Sequence, residues 1–357
     1  MQPCRLTAVA LLLPTIGVAL SETRRAHLNA SCCARDLYKP CCGGQRSVRD
    51  IGPTTELFNA TPTMLRRLFA GRTTVLVGDS VTRQWFEQLG CFVGAGGWQW
   101  TNDSHAHEAF QALRARATRF GAQLENVNSG ISGTSAGYGY WHAPAPINST
   151  SQSGLVWYLS IRKKDLPLAP LVKFAAAPGR DGGLNADTVV VAVGLHWWLP
   201  FATNFSDAMC KVMEACTSVP LCIIVDSTPQ HFPIPDGTHY SVDWRNWTRQ
   251  ELKGADCNPI VDHEGARWRA RAVEAAVEAA PQNTNVVVMR LFDLLEPLWA
   301  WHSSFDARSK KSERTPDCTH WCGDLIVWGR WHAALAESLH VGYNGTHHHE
   351  RPRPAAA

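Results

Sequence analysis

Thr73-Thr-Val-Leu-Val-Gly-Asp-Ser-Val-Thr-Arg-Gln-Trp-Phe-Glu-Gln-Leu89 joins two local patterns. Thr73–Gly78 is short, β-branched and apolar nearly throughout, as a strand buried on both faces should be. Val81–Leu89 then carries a helical pattern, and Ser80 is delivered into its start just after a Gly. Further runs repeat the strand signal at Leu155–Ile161, Thr188–Val193, Cys222–Asp226 and Asn285–Leu291. Helical patterns fall at Asp207–Ala215, at the Ala-, Glu- and Arg-rich His263–Ala280, and near Leu325–Leu339. Strands alternating with helices predict an α/β fold with a mostly parallel central sheet and helices on both faces. The stretches 140–154, 162–186 and 229–261 read as loops or insertions.

Working outward, Arg5 precedes an apolar run from Leu6 to Leu20, broken by Pro14 and followed by small residues at Ala19 and Ser21. Residues 1–21 therefore read as a secretory signal peptide. A short membrane anchor is the alternative, and Arg24 and Arg25 on the side that would face the lumen weigh against it. Residues 22–69 form a polar, Cys-containing stem, residues 70–342 the α/β domain, and residues 343–357 a tail expected to be disordered.

Seven Asn-x-Ser/Thr sequons fit a glycosylated luminal chain: Asn29, Asn59, Asn102, Asn148, Asn204, Asn246 and Asn344. Twelve cysteines are present, and with Cys4 in the leader an odd number remains. In an oxidising compartment most should pair, leaving at least one thiol free or intermolecular. The cluster Cys32, Cys33, Cys41 and Cys42 fits a disulfide-stapled stem better than a zinc site in that setting. A net charge of +3 over 357 residues excludes the basic surplus of a nucleic-acid binder. With 45% hydrophobic and 18% charged residues, a disordered chain is excluded as well.

Chemistry enters at Ser80. Ligands bind open parallel sheets at the carboxyl ends of strands. A Ser there has its Oγ in the cleft and its N–H at a helix N-terminus, where negative charge is stabilised. The plainer alternative is that Ser80 caps the helix Val81–Leu89. Far along the chain, Asp317 precedes His320 by three residues. In a tight turn or first helical turn these positions share a face. Asp317 could then orient one ring nitrogen while the other takes a proton from a Ser hydroxyl. A structural Asp–His pair in a stapled loop reads the same residues without chemistry.

Together these residues resemble the SGNH/GDSL hydrolase superfamily. Gly78-Asp79-Ser80 is similar to its first block, Val127-Asn-Ser-Gly130-Ile-Ser-Gly-Thr134 to its second, and Asp317-x-x-His320 to its last. The closer resemblance is to the PC-esterase family, which includes the plant trichome birefringence-like polysaccharide O-acetyltransferases. It is carried by Gly78-Asp-Ser-Val-Thr-Arg-Gln-Trp85 with Cys91, by His196-Trp197-Trp198, by Pro229-Gln-His-Phe232 with Cys257, and by Asp317-Cys-Thr-His-Trp-Cys322. It covers roughly residues 65–342, and Val193-Gly194-Leu195 departs from the Asn-Thr-Gly that usually precedes His-Trp-Trp.

The resemblance implies a three-layer, SGNH-like (flavodoxin-like) fold in which residues 70–342 are catalytic. Ser80 would be the nucleophile, His320 the general base and Asp317 its orienting carboxylate. The backbone N–H groups of Ser80 and Gly130, with His196, would form the oxyanion hole. Cys91, Cys257, Cys318 and Cys322 match family positions, so all four are expected to be oxidised. Cys318 and Cys322 would each bridge to a distant segment, with both long-range connectivities open. Trp197, Trp198 and Trp321 either line a glycan cleft or belong to the core, and Arg83 either orients a substrate oxygen or lies on a solvated helix surface.

The expected activity is a luminal O-acyltransferase, in the first place an O-acetyltransferase, acting on glycan hydroxyls through an acyl-serine. A carbohydrate esterase with the same triad and an inactive glycan-binding homologue are the alternatives. No metal or nucleotide motif occurs. Hence no bound cofactor is expected beyond an acyl donor such as acetyl-CoA as co-substrate. The expected partner is a glycan or polysaccharide acceptor, with no nucleic acid, and with a membrane only if the leader stays as an anchor. The expected compartment is the Golgi lumen, with secretion as the alternative.

Overall fold

Period-two alternation along the central strand sends Val75 and Val77 to one face of a sheet and Leu76 to the other, all three fully buried. The structure is a computed structural model. It describes residues 61–94, 104–124, 138–146, 152–161, 167–194, 197, 201–232, 257–280, 283–303, 317–321 and 325–345, with backbone alone at 104–110, 138, 303, 317 and 325.

The chain runs α1 (Pro62–Phe69), β1 (Thr73–Gly78), α2 (Ser80–Phe92), α3 (Ser104–Arg119), β2 (Tyr138–Ala143), β3 (Gly154–Ser160), α4 (Leu168–Ala176) and β4 (Thr188–Ala192). It continues through α5 (Ala202–Cys216), β5 (Leu221–Val225), α6 (His263–Ala266), α7 (Trp268–Glu278), β6 (Val286–Met289) and α8 (Phe292–Leu295). A 3-10 turn, Glu296–Trp301, leads to β7 (His302–Ser303), then β8 (Asp317–Trp321) and α9 (Leu325–Gly345). Six strands form one sheet in the order β2-β3-β1-β4-β5-β6. All neighbours are parallel except β2, which pairs antiparallel with β3. The chain leaves β1 on one side for β3 and returns past it to β4. The carboxyl end of β1 therefore lies where the strand order reverses, the place where such sheets bind ligands. β7 and β8 form a separate antiparallel ribbon.

Helices cover both faces. Val75, Val77, Val189, Val191 and Ile224 pack against α3, α4, α5 and α7 through residues such as Leu113, Phe174, Phe205 and Trp268. Leu76, Val190, Ile223 and Val225 pack against α1, α2 and α9 through Phe69, Trp85, Phe86, Trp328 and Trp331. This second face takes up five of the fifteen tryptophans of the chain as buried core. Trp85, Trp328 and Trp331 are fully buried, with the Trp85 and Trp331 rings 4.8 Å apart. Each such aromatic contributes roughly 1.5–3 kcal/mol through its burial.

The five expected strands are present, each within about two residues of its expected ends, and the four helical patterns are helices. The finer boundaries differ. α1 falls in what reads as stem, yet Leu65 and Phe69, one helical turn apart, are fully buried on the sheet. Edge strand β2 and helix α4 occupy stretches read as loops, because Tyr-Gly-Tyr and Leu-Ala-Pro patterns give weak periodicity. His263–Ala280 is two helices meeting at Arg267. The start of the expected tail is helical, since α9 runs through Gly345 and the Tyr343 hydroxyl lies 2.9 Å from Thr188 Oγ1.

Cys257 is bonded to Cys318, selecting one of the two long-range connectivities, and Cys91 is also disulfide-bonded. A further bond joins Cys216 to Cys222, two cysteines that no family motif accounts for. Cys210 is an exposed free thiol. These bonds are compatible with a secreted or luminal chain. Among the described residues no helix is long and apolar enough to cross a membrane. Asn204 and Asn344 are exposed. Asn29, Asn59, Asn102, Asn148 and Asn246, the cysteine cluster of the stem, the leader and Cys322 lie outside the described residues.

Candidate active site

The site begins with the way β1 ends. A Cβ on Gly78 would lie 2.1 Å from Thr82 Oγ1 and 2.4 Å from the Ala192 carbonyl oxygen, so only glycine fits. That space is used by Thr82, whose hydroxyl donates to the Ala192 carbonyl at 2.6 Å and ties α2 to the end of β4. Tyr158 on β3 donates its hydroxyl to the Asp79 carbonyl at 2.9 Å. The turn is thus held from the strands on both sides.

Asp79, not Ser80, is the cap. Its Oδ1 accepts from the Val81 amide at 3.1 Å and the Thr82 amide at 3.5 Å. This replaces the plain capping reading of Ser80. Ser80 becomes the first helical residue, and its Oγ lies 2.8 Å from His320 Nε2. The structure thereby brings together two side chains separated by most of the domain.

His320 reaches Ser80 from β8. The local conformation there differs from expectation: residues 317–321 are a strand rather than a tight turn or helical turn. The pairing is bulged, with Ser303 opposite Asp317 and His302 opposite Trp321. Between these two anchors the Cys318–His320 segment is pushed out of the ladder. The face shared by Asp317 and His320 is therefore not that of a helix, and the Asp317 side chain lies outside the described atoms.

Three long-range links fix the bulge. Gln84, one turn beyond Ser80, donates through Nε2 to the Trp321 carbonyl at 2.9 Å and accepts from the Trp321 amide at 3.3 Å. Cys318 is tied to Cys257. His302 lies with Nδ1 3.1 Å from the His320 carbonyl oxygen, and its ring stacks on Trp321 at 3.9 Å. Gln84 lies within the quoted Gly78–Trp85 motif but takes no role from it, and His302 carries no motif signal, so sequence reasoning misses both roles. Only the fold reveals which backbone they meet.

The remaining expected site residues divide. Gly130, His196 and Trp198 lie outside the described residues. Trp321 is 1% exposed and Trp197 6%, so of the two alternatives left open for them both take the core one, and neither presents a face to a sugar. Trp197 packs edge-on to Phe205, and its carbonyl accepts from the buried Arg269, which also donates to Gln230 at 3.1 Å. Arg269 thereby joins the loop after β4 to the one before His231, a role with no sequence signal. Arg83 Nε donates to Glu87 at 2.9 Å, half-buried rather than solvated. Burial pushes the Glu87 carboxyl up, and Arg83 works against that rise.

Asp226, at the end of β5, has its carboxyl pushed up to about 6 by burial. Its Oδ1 accepts from the amides of Ser227, Leu291 and Phe292, which occupies it in holding the start of α8. Among the described residues no group of three or more His, Cys, Asp or Glu is arranged to hold a metal. No protein-family model and no curated protein matches this sequence. The likeness to the SGNH superfamily rests on the motif residues quoted above.

Proposed function

We propose that this protein is a Ser-His O-acyltransferase of SGNH type, transferring an acetyl group to glycan or polysaccharide hydroxyls. The observation that carries the reading is the 2.8 Å approach of Ser80 Oγ to His320 Nε2 at the carboxyl end of a central parallel strand. In this mechanism His320 Nε2 takes the Ser80 proton as Oγ attacks the acyl carbonyl. The carbonyl electron pair moves onto oxygen, where the Ser80 amide at the start of α2 meets it. The motif resemblance assigns Gly130 and His196 to the same oxyanion and Asp317 to the His320 Nδ1–H. Collapse expels the donor's leaving group, which takes the proton from Nε2 and leaves an acyl-serine. An acceptor hydroxyl then gives its proton to Nε2, attacks the acyl carbon, and Ser80 regains its proton as the ester departs.

Ser80 and His320 are half-buried, not sealed. That access for water favours an esterase as the second reading, with water replacing the sugar hydroxyl. The burial of Trp197 and Trp321 removes two aromatic faces from a purely glycan-binding role. The compartment we propose is the Golgi lumen, with secretion as the alternative, supported by the leader, the sequons and the disulfides.

The experiment is incubation of purified protein with an acetyl donor, with and without glycan, followed by mass spectrometry. Donor-dependent glycan acetylation supports the transferase, and release of acetate from acetylated glycan supports the esterase. Ser80→Ala should fold normally, lose the acyl adduct and lower turnover by roughly a thousandfold or more. An adduct of undiminished yield on the Ser80→Ala protein would remove Ser80 as nucleophile.

A further inference from the structure

Three hydrogen bonds run in line behind His320. His302 Nδ1 lies 3.1 Å from the His320 carbonyl oxygen, His302 Nε2 lies 2.7 Å from His231 Nδ1, and His231 Nε2 lies 2.9 Å from the Glu296 carbonyl oxygen. Both ends of the line are carbonyls, which only accept. His302 must therefore donate through Nδ1, and His231 through Nε2. In a neutral imidazole the other nitrogen then carries a lone pair. Two neutral rings would set lone pair against lone pair across the middle contact. That contact becomes a hydrogen bond only when a third proton is present.

We infer that His231 and His302 share three ring protons, forming a buried imidazole–imidazolium pair that holds the catalytic strand by the His320 carbonyl. The positioning role rests on the proposed reading of His320 as general base, whereas the proton count stands apart from it. Both rings are fully buried. The His302 ring lies stacked on the indole of Trp321, and His231 meets the same indole edge-on at 6.1 Å. An aromatic face attracts a cation most when water is excluded. Burying Trp321 thus gives it a use that its sequence position beside His320 does not suggest.

Burial opposes the third proton and, against the bond to the Glu296 carbonyl, pulls His231 down to about 4. The charge-assisted middle bond and the indole face act in the other direction. Among the described residues the charged groups on the surrounding elements are few. The Glu296 carboxylate is engaged by His263, Asp293 by Arg267, and the Arg330 guanidinium by the Leu294 carbonyl, while Asp317 begins the strand paired with β7. When the third proton leaves, one outward bond has to be given up. The bond to His320 is the longest of the three, so the catalytic strand is the end released. Rising pH therefore loosens His320, and falling pH secures it.

The test is ring-nitrogen NMR on the full chain labelled with 15N-histidine, titrated over the range where the fold persists. His231→Gln and His302→Gln variants assign the signals. The expected result is three ring protons on the two residues at the acid end, falling to two in one coupled step. Two protons at every pH would overturn the pair, whether or not the protein proves to be an acyltransferase. The pH profile of acyl transfer tests the positioning role. A Gln at 231 can donate to His302 Nε2 without any added charge. His231→Gln should keep activity within about threefold at its optimum. It should also abolish an alkaline fall of about tenfold shown by the parent. An alkaline limb unchanged in His231→Gln would overturn the positioning role while leaving the proton count to the NMR.

Discussion

Ser80 stands at the end of a strand flanked by parallel neighbours on both sides, whereas His320 stands on a bulged ribbon whose partner strand, among the described residues, is two residues long. The first is fixed mainly by residues within a few positions of itself: Gly78 leaves the space, Asp79 caps the helix and Thr82 reaches β4, with Tyr158 adding a bond from β3. The second is fixed by residues far away in the chain: Gln84, Cys257 and His302. One half of the site is thus a consequence of secondary structure, and the other a consequence of cross-linking. Changes near Ser80 should act mainly through stability of the sheet and α2. Changes at the cross-links should act on the approach of His320.

The largest effect is expected from the disulfide. Cys257 and Cys318 are 61 residues apart, and in the chain-entropy model closing such a loop contributes about 4 kcal/mol. The Cys257→Ser/Cys318→Ser protein should lose roughly that much in guanidinium unfolding. It should also react poorly with a serine-directed phosphonate, since His320 is no longer held. A loss below about 1 kcal/mol with normal reactivity would mean that the ribbon holds itself, and the contrast with Ser80 would fail.

Next comes Gly78→Ala, which tests the other half. The added methyl meets a backbone oxygen as well as the Thr82 hydroxyl. Overpacking there should cost about 3 kcal/mol. Gly78→Ala/Thr82→Ala removes the contact with the hydroxyl but leaves the residue-82 Cβ, 2.4 Å away, and the Ala192 carbonyl in place. It should recover only part of the loss in thermal unfolding, and full recovery would show that β4 can retreat.

The same contrast explains what could be read from sequence. Thr73–Gly78 announces a buried strand, and its apolar alternation survives in both core faces. Ser80 follows from it within two positions. β8 gives no comparable signal, because Asp-Cys-Thr-His-Trp has mixed polarity and its partner strand is two residues long. The spacing of Asp317 and His320 reads as a tight turn or a first helical turn, but the two lie on a bulged strand instead. Trp321 beside a candidate base reads as either a ligand platform or core, and it is a core floor under a histidine pair. Such contacts depend on which distant backbone arrives, and local pattern does not contain that.

Gln84 sharpens the comparison, because it belongs to the local half and serves the distant one. Gln84→Ala removes both bonds to Trp321 and should destabilise by about 1–2 kcal/mol. Acyl transfer or phosphonate labelling should slow by about tenfold, since small displacements of a base are costly. Equal losses in activity and in folded fraction would reduce Gln84 to a structural role. A rate loss in fully folded protein places it among the positioning groups.

The smallest effect is expected at Asp79, and it bears on why Ser80 is free to meet His320. Asp79 Oδ1 takes the Val81 and Thr82 amides that a capping Ser80 would otherwise engage. Asp79→Ala should cost about 1 kcal/mol of stability, the ordinary value of a lost N-cap. Asp79→Asn keeps an acceptor in the same place and should cost only a few tenths. The informative quantity is reactivity at equal folded fraction. Without the Asp79 cap, Ser80 becomes the nearest side chain able to bond the exposed amides, and doing so turns Oγ away from His320. Phosphonate labelling of Ser80 should therefore slow several-fold in Asp79→Ala and stay near the parent rate in Asp79→Asn. If the two variants slow alike, the carboxylate charge beside Ser80 matters more than the cap, and the separation of local support from chemistry at this end of the site breaks down.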